Sequence, residues 1–393
     1  MSEQPKSPGR GTLAVHAGVE PDPTTGAIMT PVYLTSTYVQ DEVGNHKGFE
    51  YSRTHNPTRS ALEAAFAALE HGAHGLAFAS GLAAMDTVLK TLKPGDEVIS
   101  TNDLYGGSYR LFTTVFANYG ITFHFVDLGD LDALRGALNE DTRLVWIETP
   151  TNPMMQITDI AAVAEVVKDT DARVVVDNTF ASPMLQNPLD LGADMVMHSV
   201  TKYLGGHSDV VMGCLMTSDD AWEEELRTLQ NSCGSVPGPM DCFLVLRGLK
   251  TLHLRMQRHC ENGAEVARHL QNHPAVAKVH WPGFEDHPGH DVAARQMHDY
   301  GGMVAFTLAN NDLETAKHVV ASTKVFTLAE SLGGVESLIG HPATMTHASI
   351  PKEVREKTGV TDGLIRLSVG IEDVADLIAD LDQALNQVQQ AHG

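Results

Sequence analysis

The chain has 393 residues, 42% of them apolar and 20% charged, with a formal charge of −23 from 50 acidic and 27 basic residues. That is more chain than one ordinary domain holds and enough apolar residue for a large core, which excludes wholesale disorder. The acidic surplus disfavours a nucleic-acid or anionic-membrane surface and leaves room for a local basic pocket. The four cysteines, Cys214, Cys233, Cys242 and Cys260, form no C-x-x-C pair. Neither a zinc knuckle nor a disulfide framework is expected, and reduced thiols suit a cytoplasmic protein. The start, Met1 to Lys6, is polar and lacks the apolar stretch of a signal peptide. No run reaches the ~18 apolar residues of a membrane helix. The 20 histidines are scattered, and no metal site is expected.

Residues 1–53 read as an irregular arm, broken up by Pro21, Pro23, Gly26 and Pro31. An arm of this length needs something to lie on, and a partner subunit is one candidate. Thr58 to Glu70 reads as a helix with Leu62, Phe66 and Leu69 on one face. Short apolar strands then alternate with helices. The strands are Gly75–Ala79, Glu97–Ser100, Thr122–Val126, Leu144–Ile147, Val174–Val176 and Met195–Met197; helices are predicted at Ala83–Leu92, Leu131–Leu138 and Ile160–Val167. Strands spaced by helices imply a mostly parallel, covered sheet in an α/β domain over 54–253. Leu244 to Arg268 reads as one long helix across the boundary. Residues 254–393 read as a smaller α+β domain with a strand over Gly301–Leu308 and a final helix from Glu372 to Gln390.

Ligands in such sheets bind beyond the carboxyl ends of the strands, so the residues just after each strand carry the information. Ser80-Gly81 follows the first strand and opens a helix, where free N–H groups and the helix dipole suit a phosphate. Taken alone, Ser80 is equally well a plain N-cap. Asp177 follows a buried strand, where a carboxylate is costly without a cation to meet. A protonated pyridine nitrogen is such a cation; a helix cap is the bland alternative. Lys202 lies between Ser199 and Thr201 on one side and Gly205-Gly206 on the other. A lysine nucleophile needs a depressed pKa and an aldehyde, and pyridoxal phosphate (PLP) supplies the aldehyde. One lysine in a loop proves little. Phosphate turn, aspartate and lysine, each after its own strand, are much harder to assemble by chance.

The residues resemble the Cys/Met-metabolism branch of the fold-type-I (aspartate-aminotransferase-like) PLP enzymes. This branch includes the cystathionine γ-synthases, γ-lyases and β-lyases and the methionine γ-lyases. The matching segments include Tyr51-Ser52-Arg53, Ser80-Gly81, Leu104-Tyr105-Gly106-Gly107, Glu148 to Pro153, Asp177 to Phe180, Ser199 to Tyr203, Glu330 to Gly334, Met345-Thr346-His347 and Arg366 to Gly370. The resemblance implies that Lys202 carries PLP as a Schiff base and that Asp177 keeps the ring nitrogen protonated. Tyr105 would stack on the ring and assist proton transfer. Ser80, Gly81, Leu82, Ser199 and Thr201 would bind the phosphate, with Tyr51 and Arg53 arriving from a neighbouring subunit of a homotetramer built from two active dimers. Arg366, with Asn152 and Ser331, would hold the substrate α-carboxylate, and Arg110 would contact substrate.

Two positions bear on the reaction. Gly107 stands where methionine γ-lyases carry a reactive cysteine. Glu330 matches the γ-lyases and γ-synthases and could attract the distal ammonium of cystathionine. A pocket-wall carboxylate satisfied by backbone is the plainer reading of Glu330. The segments from Asp241 to His253 and from His347 to Pro351 are more similar to the lyases. The expectation is cystathionine γ-lyase, releasing cysteine, 2-oxobutanoate and ammonia, with some hydrogen sulfide from cysteine or homocysteine. The alternative is γ-synthase, which joins O-succinyl- or O-acetylhomoserine to cysteine.

Overall fold

In the computed structural model, residues 8–348 and 350–392 are described. The polar start, Met1 to Lys6, and Ser349 of the lyase-like segment lie outside them. Seven strands build the first sheet: β1 (His74–Phe78), β2 (Glu97–Thr101), β3 (Thr122–Val126), β4 (Thr142–Glu148), β5 (Arg173–Asp177), β6 (Met195–Ser199) and β7 (Gly213–Thr217). Their spatial order is β1-β7-β6-β5-β4-β2-β3. Strands β3, β2, β4, β5 and β6 run parallel, while β7 is antiparallel to both neighbours. With β7 reversed between them, β1 and β6 point the same way, so the carboxyl ends of β1, β2, β4, β5 and β6 share one edge of the sheet. Val174 to Val176 and Leu144 to Ile147 are buried on both faces, as a sheet covered by helices requires. The resulting α/β architecture is that expected from the alternation of strands and helices.

Strand β7 was not expected from the sequence. Its residues, Gly213-Cys214-Leu215-Met216-Thr217, follow the lysine loop with no intervening helix, which is why it returns antiparallel. The arm also holds more order than its prolines suggest. Arg10–His16 is a helix with Ala14 buried, packed on the helix Pro57–Leu69, and Lys250 Nζ donates to Val15 O at 2.6 Å. Beyond it the arm is open, with Ile28 81%, Leu34 72%, Val39 87% and Val43 106% exposed.

The expected long helix is two, Pro239–Leu249 and Leu252–Gln271. The chain breaks at Lys250-Thr251, where the buried Arg255 guanidinium donates to Gly248 O at 2.9 Å and Tyr203 O at 2.6 Å. The guanidinium thus donates to Gly248 O, a carbonyl that a continuous helix would have paired internally. The second sheet contains β8 (Val276–His280), β9 (Met303–Leu308), β10 (Thr327–Leu328), β11 (Leu338–Gly340) and β12 (Leu364–Ser368), in the order β10-β11-β12-β9-β8. The helices Leu313–Ser322 and Val374–His392 pack on it, as does part of Leu252–Gln271. No helix among the described residues is long and apolar enough to cross a membrane.

Candidate active site

At the shared carboxyl edge of the first sheet lies a cavity of about 370 Å³, within the range of small-molecule sites. The ends of β1, β4, β5 and β6 each deliver a polar residue into it. After β1, Ser80 caps the helix Gly81–Leu89, its hydroxyl accepting from Ala83 N at 3.0 Å. The first N–H groups of that helix point past its end and are suited to an anion. Asp177 ends β5 and Ser199 ends β6, with Thr201 and Lys202 just beyond; all of these line the cavity. Leu82, Tyr105, Asn152, Glu330, Ser331 and Arg366 line it as well.

Asp177 is buried, and burial raises its pKa despite the opposing pull of Thr179. Thr179 donates to it from N at 3.0 Å and from Oγ1 at 2.5 Å, both to Oδ1. Among the described hydrogen bonds, Oδ2 is thus left for a donor within the cavity. Thr179 Oγ1 in turn accepts from Ser199 N at 2.9 Å, linking β5 to β6.

Lys202 Nζ donates to Ser331 Oγ at 2.7 Å. Burial, then Arg366, lowers its pKa to about 8, against the opposing pull of Glu330. A fraction of the amine, on the order of a tenth at pH 7, is therefore neutral and able to act as a nucleophile. Gly333, at φ +74°, is where the second-sheet region meets this loop. A Cβ there would lie 2.7 Å from Tyr203 N, so only glycine permits the approach. Ser331 holds φ +110°, a conformation that costs a non-glycine residue roughly 1–3 kcal/mol. It is held there by both ends, since its hydroxyl accepts from Lys202 and its carbonyl accepts from Arg366 Nη2 at 2.9 Å.

Arg366, on β12, is buried, and its Nη1 donates to Asn152 Oδ1 at 2.8 Å. Burial lowers its pKa to about 10, leaving it a cation. It reaches the cavity from the second sheet, so the site is assembled from both sheets.

Glu148 opens the matching segment Glu148 to Pro153, with no role implied by the resemblance. The structure makes it a hub: Tyr105 N donates to Oε2 at 3.0 Å and Asn152 N to Oε1 at 2.9 Å. Burial, and then Asp177, pushes its carboxyl well above the usual range. Its place at the carboxyl end of β4 was the signal that could have found it. Ser108, Thr179, Phe180 and Thr346 also line the cavity. Gly107 lies against Tyr105, and a Cβ there would lie 2.3 Å from the ring, so a side chain at 107 would displace the tyrosine.

Three expected residues are elsewhere. Arg110 is exposed and outside the cavity lining. Arg53 stacks on the half-exposed Tyr51 ring, 5.3 Å from its centroid, and Arg53 Nε donates to Asn231 at 3.2 Å. Neither Tyr51 nor Arg53 lines the cavity of its own chain. Of the histidines, His269 and His273 have a helical H-x-x-x-H spacing that the sequence reading overlooked; both approach Asp382, at 2.6 and 3.8 Å. Among the described residues no group of three or more side chains could hold a metal.

A phosphate-suited helix end, a buried carboxylate with one free oxygen and a partly neutral lysine share one cavity. That set fits pyridoxal phosphate and defines a fold-type-I PLP enzyme. The chain belongs to the family "Cys/Met metabolism PLP-dependent enzyme", whose model matches residues 11–386. It is 56% identical over 379 residues to the cystathionine gamma-synthase of Mycobacterium tuberculosis, covering 96% of this chain and 97% of the relative. It is 52% identical over 376 residues to the cystathionine beta-lyase of Coxiella burnetii, covering 95% and 97%. The crystal structure of cystathionine gamma-lyase from Lactobacillus plantarum complexed with L-serine superposes with a TM-score of 0.94 at 47% identity, covering 97% of this chain and 100% of that one. The protein is a PLP enzyme of the trans-sulfuration group, acting on a small amino-acid substrate.

Proposed function

We propose that the protein is a cystathionine γ-lyase, cleaving cystathionine with water to cysteine, 2-oxobutanoate and ammonia. The charge inventory of the cavity carries this reading. Its lining holds two strong cations, Lys202 and Arg366, and three acids, Glu148, Asp177 and Glu330. Arg366 is suited to the substrate α-carboxylate and Lys202 to the cofactor, which leaves Glu330 as the charged lining residue that can select the remote end. Glu330 is exposed at the cavity and favours a substrate whose remote end carries an ammonium. Cystathionine carries an ammonium beside its remote carboxylate, whereas O-succinylhomoserine ends in a carboxylate alone, which Glu330 repels.

The residues divide the work as follows. Ser80, Gly81, Leu82, Ser199 and Thr201 hold the phosphate, Asp177 the ring nitrogen, and Lys202 the carbonyl carbon through Nζ. When bound, PLP supplies an electron-withdrawing ring that stabilises negative charge at the substrate Cα. Lys202 Nζ, with a pKa near 8, can take and return protons at Cα and Cβ. Arg366, fixed by Asn152 and Ser331, presents the rest of its fork to the α-carboxylate. Tyr105, 40% exposed at the cavity, covers the ring and serves as a second proton carrier.

The γ-synthase reading is favoured by the 56% identity to the mycobacterial protein of that name. An O-acetyl donor, which has no second carboxylate, would escape the repulsion by Glu330. The two are separated by measuring kcat/KM for cystathionine beside that for O-acetyl- or O-succinylhomoserine with cysteine. The expected result is a higher value for cystathionine, with Glu330→Gln raising its KM about two- to fivefold, as loss of one exposed ionic contact implies. A higher value for either acyl donor would overturn the lyase assignment.

We also propose that the active unit is a dimer, paired further into a tetramer, with Tyr51 and Arg53 completing the neighbour's site. The open apolar arm at Ile28, Leu34, Val39 and Val43 supports it. Four unpaired cysteines, three of them buried, support a reducing, cytoplasmic setting. Mixing Lys202→Ala with Arg53→Ala subunits should restore about a quarter of wild-type activity, because each mixed dimer regains one intact site. Activity no higher than that of the separate variants would show that each site is complete within its own chain.

A further inference from the structure

Glu70 is the C-cap of the helix Pro57–Leu69, and His198 lies on β6; both side chains are 1% exposed. A buried carboxylate at a helix C-terminus opposes the dipole and loses its hydration. Three donors converge on it instead. His198 Nε2 lies 2.5 Å and Asn178 Nδ2 2.8 Å from Oε1, and Asn187 Nδ2 lies 3.2 Å from Oε2.

The two donors on Oε1 come from the strands that carry the cofactor residues. Asn178 directly follows Asp177 at the end of β5, and His198 directly precedes Ser199 at the end of β6. Side chains alternate along a strand, so His198 and Ser199 point to opposite faces of β6. On the cavity face, Thr179 Oγ1 spans the gap between the strands, donating to Asp177 and accepting from Ser199 N. On the other face Glu70 spans the same gap. Asn178 is further locked by Gln186, whose Nε2 donates to Asn178 Oδ1 at 2.9 Å and whose carbonyl accepts from Asn178 Nδ2 at 2.9 Å. Of the charged groups facing Asp177, Glu148 opposes its ionised form and His198 favours it.

We propose that Glu70 is a positioning residue of the cofactor site: through Asn178 and His198 it holds Asp177 and Ser199 at the separation that the ring and phosphate of PLP require. This rests on the roles proposed above for Asp177 and Ser199. Glu70 touches neither cofactor nor substrate and acts only through the two strand ends.

The test uses the purified holoenzyme, with PLP as the probe. Its dissociation constant and the visible circular dichroism of the bound cofactor are measured for Glu70→Gln, His198→Leu and His198→Gln. Glu70→Gln and His198→Leu are expected to weaken PLP at least about tenfold, as loss of a hydrogen bond to a charged group implies, and to alter the dichroism. His198→Gln keeps an amide donor for Glu70 and should remain within about threefold of wild type. A purely structural role would lower Tm and leave the folded protein's PLP affinity and dichroism unchanged, which overturns the proposal. If His198→Leu does not fold, Glu70→Gln against His198→Gln decides it, and equal affinities overturn it. Asp177→Ala separates the two levels. Unchanged affinity and dichroism there would remove both the proposal and the reading of Asp177 beneath it. A clear change there, with none in Glu70→Gln and His198→Leu, removes only the positioning role.

Discussion

Replacing Lys202 with alanine is expected to abolish the visible absorbance of the bound cofactor and lower turnover by at least about 10⁴-fold, since one amine serves as covalent anchor and mobile base. The variant should still fold. The lysine side chain is partly buried and desolvated, and among the described hydrogen bonds its amine makes one, to Ser331 Oγ. Absorbance and turnover should therefore fall together while Tm changes little. A variant that keeps both would show that another group anchors PLP. The same amine sets a pH dependence. Only neutral Nζ can attack the cofactor's aldehyde, so reconstitution of apoprotein with PLP should accelerate about tenfold per pH unit below 8 and level off above it. An unshifted lysine would go on accelerating to about pH 10.

Arg366→Ala is expected to lower kcat/KM by about 10²- to 10³-fold, chiefly through KM, because a buried, bidentate carboxylate partner is lost. Asn152 Oδ1 and Ser331 O would lose their donors, so Tm should also fall. The substitution carries a second, separable signature. Arg366 is the largest charged influence lowering the Lys202 pKa, second only to burial. A neighbouring cation disfavours the protonated amine, and removing it raises the amine's pKa. The midpoint of the reconstitution profile should therefore move above 8 in Arg366→Ala. An unmoved midpoint with an intact KM would show that Arg366 faces neither the amine nor the substrate.

Much of this site was legible because its chemistry repeats one local rule. Ser80, Asp177 and Lys202 each lie at or just beyond the carboxyl end of a strand, and a parallel sheet brings such ends to one edge. The alternation of apolar strands and helices was enough to place them there. Glu148 follows the same rule and was passed over, since a buried acid that accepts two backbone N–H groups leaves no spacing signature. The break at Lys250-Thr251 was invisible for a related reason. The residues around it are helix formers, and the helix ends because Arg255 reaches carbonyls on Gly248 and Tyr203. Strand β7 and the helix Arg10–His16 were missed because each is short and draws its order from packing on elements distant in sequence.

The sequence alone determined which residue types stand at which strand ends, while the matching segments carried the resemblance to the family and its cofactor. Those are local facts of periodicity, strand length and neighbouring residues. The tertiary structure alone decided that Arg366 from the second sheet meets Asn152 from the first, and that Ser331 is held in a strained conformation between Lys202 and Arg366. It also set Glu70 beneath Asp177 and Ser199. Each of these contacts joins residues 35 to 214 positions apart. Their energies come from burial and hydrogen-bond geometry, which no single stretch of chain contains.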